Sequence, residues 1–416
     1  MKGRDIIQEF SDILGTHSDI PEAFRIAGGY FINASTIGRF YELYDMDFFK
    51  PNLYIVLASP PRITRRGELL KSINKVTTSA YYEYHKILDD NKAIDEIKSH
   101  MFDGGSTAGL IDDINLYSSR GINSFAVKSS EFGKRLKDIV HSSGYMVNMD
   151  GLLLKLYSGE ADYSSYSHKK GGTPRYLPPK KYFNLFGTMQ NLEHYIEETK
   201  IAYVGLARRL SIFSLRGDDL NDYRPPLGRD TSQQYTKLNE LGLYIGRMLH
   251  VNHQKYFKKN SENPIIIKYT EEVKTKLNEL DKKVTDLLRS DDTNPYYNFL
   301  QGKFDQITKF AMNRCISRNR NVISIDDFEI AQKHAQFGTR DIEETFMKTL
   351  IPKEKKHREQ AIDAIIRCFK KGWDKRRTQS SLCSYGVRAK EFNELISLLI
   401  MEGKIKANKE GGFDVL

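Results

Sequence analysis

The chain has 416 residues, 39% hydrophobic and 28% charged, a length that exceeds one ordinary core and implies two or three domains. No run approaches the ~18 apolar residues of a membrane span, and the start, MKGRDIIQEF, has no hydrophobic signal region, so a soluble cytoplasmic protein is expected. The net charge of +10 favours polyanionic partners, while the three cysteines, Cys315, Cys368 and Cys383, lack the spacing of a disulfide framework or a zinc site.

Residues 1–50 read as two or three helices. Ile6, Ile7, Phe10 and Leu14 form one apolar stripe, and Ser18 or Asp19 with Pro21 and Glu22 starts the next helix. Leu53 to Leu57 is a β-branched apolar run suited to a buried strand. Two prolines break it, three arginines follow, and from Gly67 onward Leu69, Leu70 and Ile73 recur at helical spacing. Strand, loop and helix in this order are the layout of a phosphate-binding loop, in which backbone N–H groups and a helix N-terminus face the anion. The residues Ser59, Pro60, Pro61, Arg62, Ile63, Thr64, Arg65, Arg66 and Gly67 depart from such a loop: arginine stands for lysine and no hydroxyl follows it. An ordinary strand-to-helix connection reads the same way.

Further helices are expected over Thr77 to Leu88 and Ala93 to Met101. TAGLIDDINLY then resembles the dodecapeptide helix of the LAGLIDADG homing endonucleases, although it occurs once and no glycine closes it. A second strand, Ser124 to Val127, delivers Glu131 just beyond its C-terminal end, where a nucleotide hydrolase holds its metal and polarises water. After a helix from Gly151 to Leu156, residues 162–183 mix Lys169, Lys170, Arg175, Lys180 and Lys181 with Tyr163, Tyr166 and Tyr176. Cations interleaved with aromatics in a protruding loop suit a nucleic-acid backbone and its bases. The third strand, Tyr182 to Phe186, ends on Gly187, Thr188 and Met189, and GLARRLSIFSL carries Arg208 and Arg209, a surface patch or an arginine finger toward a neighbouring subunit.

Residues 216–230 form a polar, proline-bearing linker. Helices follow over Gln234 to Val251, Glu271 to Leu288 and Tyr296 to Ser317, and another starts at Ser324 with Asp326 and Asp327 in its first turn. Residues 351–358 read as a charged linker to a winged helix: helices over Arg358 to Lys371, around Gln379 to Leu382 and over Arg388 to Met401, then a wing of Lys404 to Ala407 and Gly412 to Leu416. Phe392, Leu395, Ile396 and Leu399 would face inward, leaving Arg388, Lys390 and Asn393, with Lys409 on the wing, to meet DNA. Residues 353–416 hold 15 Lys and Arg against 9 Asp and Glu, so +6 of the +10 lies here.

The succession NLYIVLASPP, STAGL, FAVKSSEF, LLLKLYSGE, YFNLFGTMQ and GLARRLSIF resembles the helicase-like AAA+ or RecA-like P-loop ATPases of plasmids, phages and integrated elements, often fused to primases, over roughly residues 20–215. The resemblance implies an α/β P-loop core over 51–215 and a helical lid-like domain over 216–350, set between the N-terminal helices read over 1–50 and the winged helix read over 351–416. It implies ATP with Mg2+ at Ser59, Pro60, Pro61, Thr64, Arg65, Arg66 and Gly67, Glu131 as the catalytic acid, Thr188 as a sensor and Arg208 or Arg209 as the finger. A ring-shaped homo-oligomer, of the hexameric type, moving on single-stranded or duplex DNA would follow. The alternative is a DNA-binding assembly protein that retains the ring without hydrolysis, because Ser130 also replaces the Walker B aspartate.

Overall fold

The computed structural model describes residues 4–44, 49–60, 64–102, 105–140, 148–160, 176–190, 192, 205–215, 231–258, 261–290, 295–337, 342–344, 351–383, 387, 389–408 and 413–415. The chain divides into two compact units, Met1–Thr345 and Phe346–Leu416.

The first unit is built on a parallel sheet flanked by helices, the expected α/β core. Its strands are β2 (Tyr54–Ala58), β3 (Ser124–Ser129), β4 (Tyr182–Met189) and β5 (Leu210–Ser214), in spatial order β3, β4, β2, β5. All pairings are parallel, with Val56 opposite both Gly187 and Ile212, and Ser129 opposite Gly187. Every residue of β2, β4 and β5 is buried, the near-continuous apolar pattern of strands covered on both faces. β5 has no counterpart among the sequence expectations. Because the strands run the same way, all four C-terminal ends open on one edge, where ligands of open α/β sheets bind.

One face of β2, carrying Ile55 and Leu57, joins a core with α1 (Ile6–His17), α2 (Glu22–Ser35) and α3 (Arg66–Leu88). From the other face, the Tyr54 hydroxyl donates to the Leu153 carbonyl (2.8 Å) of α7 (Met149–Ser158). Between β2 and β3, α3 is one uninterrupted helix where two are expected: Leu69, Ile73, Val76, Ala80 and Tyr84 keep one apolar stripe until left-handed Asp89 ends it. It is followed by α4 (Ala93–Ser99) and α5 (Thr107–Ser119). Ser106 caps α5 by accepting from Gly109 N–H (3.0 Å), and a Cβ at Gly109 would approach only that serine, so this glycine brings no second helix close. β3 leads directly into α6 (Phe132–Val140).

The later helices, all but the short one over Pro295–Leu300, add side chains to the same core. They are α8 (Ser232–Tyr256), α9 (Glu271–Ser290), α10 (Pro295–Leu300), α11 (Lys303–Ser317) and α12 (Ile325–Ala335). A Cβ at Gly242 would lie 2.8 Å from the Val76 carbonyl, and one at Gly246 2.6 Å from that of Ala80, so these glycines let the backbones of α8 and α3 meet. The single helix expected over 296–317 is split into α10 and α11, whose Gln306 amide donates to the carbonyls of Arg208 (3.0 Å) and Leu210 (3.1 Å) at the start of β5. A small parallel sheet, also absent from the sequence reading, joins β1 (Tyr41–Leu43), β8 (Ile265–Tyr269) and β9 (Val322–Ile323). A short antiparallel pair, β6 (Phe257–Lys258) and β7 (Ser261–Glu262), precedes it.

The second unit contains α13 (Ile351–Lys370), α14 (Lys375–Cys383) and α15 (Ala389–Met401), followed by the antiparallel hairpin of β10 (Ile405–Ala407) and β11 (Phe413–Val415). The linker expected at 351–358 is the start of α13. Its lysines and glutamate are good helix formers, and Pro352 sits in the first turn, where its missing N–H costs little. Phe392, Leu395, Ile396 and Leu399 are buried with Ile365, Phe369 and Ile405, the inward face expected of the last helix.

Candidate functional site

The loops at the C-terminal edge of the main sheet are tied together by polar contacts. The Met189 carbonyl, at the end of β4, accepts from the Ser59 amide (3.3 Å) and from the Arg66 guanidinium. The buried hydroxyls of Ser59 and Thr64 bond each other at 2.7 Å, closing the loop after β2 on itself. The Thr188 hydroxyl, 2% exposed, donates to the Ser130 carbonyl at 2.7 Å and so fastens the turn that carries Glu131 to the end of β4. A Cβ on Gly187 would stand 2.5 Å from Phe132 Cγ, so only glycine lets α6 begin flush against the strand. The structure therefore brings Ser59, Thr64, Arg66, Thr188 and the Glu131 turn to one edge.

At the head of α3 the backbone takes an uncommon form. Arg65 is left-handed (φ 46°, ψ 36°), and helical Arg66 and Gly67 follow it directly. A left-handed residue adjoining right-handed ones turns successive N–H groups into a concave nest for anions, and the N-terminus of this 23-residue helix has no side-chain cap. A Cβ at Gly67 would meet nothing within 4 Å, so the space beside this turn is open. The arginine side chains face protein groups: Arg65 pairs with Glu68 (3.1 Å) and Asp19 (3.7 Å), and Arg66 reaches Met189. Pro60 is half-buried at the loop's start, and Pro61 lies outside the described residues.

Phosphate oxygens fit this cradle of backbone N–H groups. A Walker-type magnesium site does not fit: Gly67 supplies no hydroxyl, the Ser59 and Thr64 hydroxyls face each other, and Glu131 is exposed with Ser130 in place of a neighbouring carboxylate.

Sequence reasoning passed over Lys128 in this region. It ends the apolar part of β3, donates to Asn74 Oδ1 of α3 (2.6 Å), and burial pushes its pKa down to about 7. Its signal was a single lysine within FAVKSS.

Arg208 and Arg209 lie elsewhere. They form the 3-10 turn (Ala207–Arg209) that precedes β5, at the opposite edge of the sheet, a strand length of roughly 15 Å from the loop ends. Arg209 donates to the Gly205 carbonyl (2.9 Å), and burial beside the Arg209 charge pushes the Arg208 pKa down. Both arginines therefore start from the edge opposite the loops that carry Ser59, Thr188 and the Glu131 turn.

Lys180 and Lys181 also sit at that opposite edge, just before β4, lining a cavity of about 490 Å³ with Arg39, Lys50, Glu96 and Tyr256. Its charges are largely matched internally, Lys50 with Glu42 (3.2 Å) and Arg39 with Glu96, while Lys181 donates to Asn123 Oδ1 (2.8 Å). Lys169, Lys170 and Arg175 lie outside the described residues, as do Arg388 and Lys409 in the second unit, and the Lys390 side chain is not described. No protein-family model and no curated protein matches this chain.

Proposed function

We propose that the first unit binds a nucleoside triphosphate by its phosphates at the head of α3, and that the protein is a DNA-binding assembly factor of helicase-like build with little or no turnover. The observation that carries this reading is left-handed Arg65 at the uncapped start of α3, a strained backbone at the position where a phosphate cradle is needed. The weak turnover follows from Arg65 and Arg66 being held by Asp19, Glu68 and Met189, and from the missing hydroxyl at Gly67. DNA binding draws on the +6 charge of residues 353–416 and on a second unit whose three helices and antiparallel hairpin follow the order of a winged helix. α15 would then present its N-terminal end to the groove.

The hydrolysing reading, a ring-shaped helicase-like motor, is favoured by one feature, the Thr188 hydroxyl that fastens the Glu131 turn to the strand end. Arg208 and Arg209 serve that reading only across a subunit interface, given their edge of the sheet. ATP binding and turnover, with and without single-stranded DNA, separate the two when the parent is measured beside Arg66→Ala and Glu131→Gln. An assembly factor binds ATP and shows no DNA-stimulated turnover that Glu131→Gln abolishes. A motor shows that stimulation and that loss. Absence of nucleotide binding in the parent overturns both.

A further inference from the structure

The turn between α13 and α14 concentrates positive charge around the only tryptophan of the chain. Lys370, Lys371, Lys375, Arg376 and Arg377 are all exposed, and Trp373 is half-buried among them. The Arg377 guanidinium lies over the Trp373 ring, 4.4 Å from its centroid. The one acid of the segment, Asp374, is engaged as a cap, accepting from the Arg377 amide at 2.7 Å. Among the described residues, none of Lys370, Lys371, Lys375 and Arg376 forms an ion pair, whereas Arg314, Arg318 and Arg320 of the first unit all meet carboxylates.

The cluster stands on a fixed backbone. α13 ends with Gly372 in the left-handed conformation (φ 72°), its amide donating to the Phe369 carbonyl (2.8 Å) and the Trp373 amide to that of Cys368 (3.1 Å). This paired helix stop, followed at once by the Asp374 cap of α14, sets where Trp373 and the first turn of α14 lie. Phe369 within the stop packs on Phe413 of the hairpin, ring centroids 5.0 Å apart, tying it to the unit's core.

We propose that this turn is a binding site for single-stranded nucleic acid, with phosphates on the lysines and on Arg376, and a base stacked on the Trp373–Arg377 pair. It rests on the nucleic-acid reading of the second unit but not on nucleotide binding by the first. Single strands fit better than duplex because a tryptophan fixed in a turn needs an unstacked base, and stacking of this kind tolerates any sequence.

The sole tryptophan makes the test direct. The full-length protein is titrated with oligo(dT), with inorganic polyphosphate and with anionic phosphatidylserine vesicles while Trp373 fluorescence is followed; duplex binding is measured in parallel. Oligo(dT) is expected to quench the emission, and polyphosphate to bind without comparable quenching. In a Lys375→Ala, Arg376→Ala double variant, oligo(dT) affinity falls and its log–log salt slope drops by about 1.4, from ~0.7 per phosphate contact. Trp373→Ala, followed with a labelled oligonucleotide, weakens binding roughly 5- to 150-fold, the equivalent of ~1–3 kcal/mol for one stacked base. Unaltered oligo(dT) affinity in the double variant overturns the site, as does a fluorescence response to vesicles alone. Retained duplex binding in either case leaves the reading of α15 standing; loss of all nucleic-acid binding in the parent removes both.

Discussion

Thr188→Val probes the bond that joins the end of β4 to the Glu131 turn. Valine keeps the shape of the side chain and the pairing of position 188 with Leu57, and removes only the hydroxyl that donates to the Ser130 carbonyl at 2.7 Å. Thr188 is 2% exposed but Ser130 lies at the surface, so water replaces part of the lost bond. The cost therefore sits near a net hydrogen bond, about 0.5–1.5 kcal/mol, rather than the larger penalty of a sealed, unsatisfied acceptor. Urea unfolding should show a lower midpoint with an unchanged slope. Amide exchange should quicken more at Ser130 to Gly133 than the fall in global stability quickens it in β2, while Thr188→Ser, which keeps the donor and loses a buried methyl, retains that local protection of the turn. If Glu131 acts in turnover, Thr188→Val lowers the rate without changing nucleotide affinity. A variant with parental stability and parental exchange at Ser130 to Gly133 would falsify the claim that this hydroxyl holds the turn.

Other consequences follow from the same geometry. Gly246→Ala would drive a methyl to 2.6 Å from the Ala80 carbonyl and 2.7 Å from Glu83 Cβ, so a loss of about 1–3 kcal/mol is expected on denaturation; a neutral outcome would mean that α8 and α3 separate freely. Arg65→Gly removes the left-handed penalty of about 1–2 kcal/mol together with two weak, partly exposed ion pairs. Stability should hold or rise and nucleotide affinity persist, and a large loss of affinity would show that the guanidinium, not the backbone, binds the anion. Lys309, 2% exposed, donates to Asn52 Oδ1 (2.6 Å) and lies over the Tyr157 ring, and burial pushes its pKa down to about 7 from an unfolded value of ~10.4. Between these values the unfolded chain holds a proton that the native lysine lacks. Stability should thus rise with pH across that window, by up to about 1.4 kcal/mol per unit from this group, and the benefit is lost as pH falls toward 7. Lys309→Met should lessen that slope by one proton; an unchanged slope would show that the native lysine stays charged.

Strands covered on both faces were legible as short apolar runs, which is why β2, β3 and β4 could be placed within a few residues. β5 was not, because LSIFS directly follows two arginines and is no longer than a chance apolar run. The sheet of β1, β8 and β9 pairs Tyr41 with Ile265, 224 positions apart, and Lys268 with Val322, 54 apart, contacts that no local pattern encodes. At the candidate site the residue types of the loop could be read, and so could the polar end of β4. The conformation of Arg65 could not, since nothing in TRRG marks a left-handed arginine, and neither could the engagement of its side chain by Asp19, 46 positions upstream. The basic turn around Trp373 was visible only as part of a general excess of charge, because the segment was expected to be a loop between helices and α14 to begin later.

The most direct measurement on the central claim is amide hydrogen exchange of the full-length protein with and without ATP, resolved over the head of α3. Nucleotide is expected to slow exchange at Arg65 to Leu69 and, more weakly, at Ser130 to Phe132, leaving the cavity beside Lys180 and Lys181 at the opposite edge unchanged. Protection confined to that cavity, or none anywhere while binding is saturated, would contradict a phosphate cradle at Arg65.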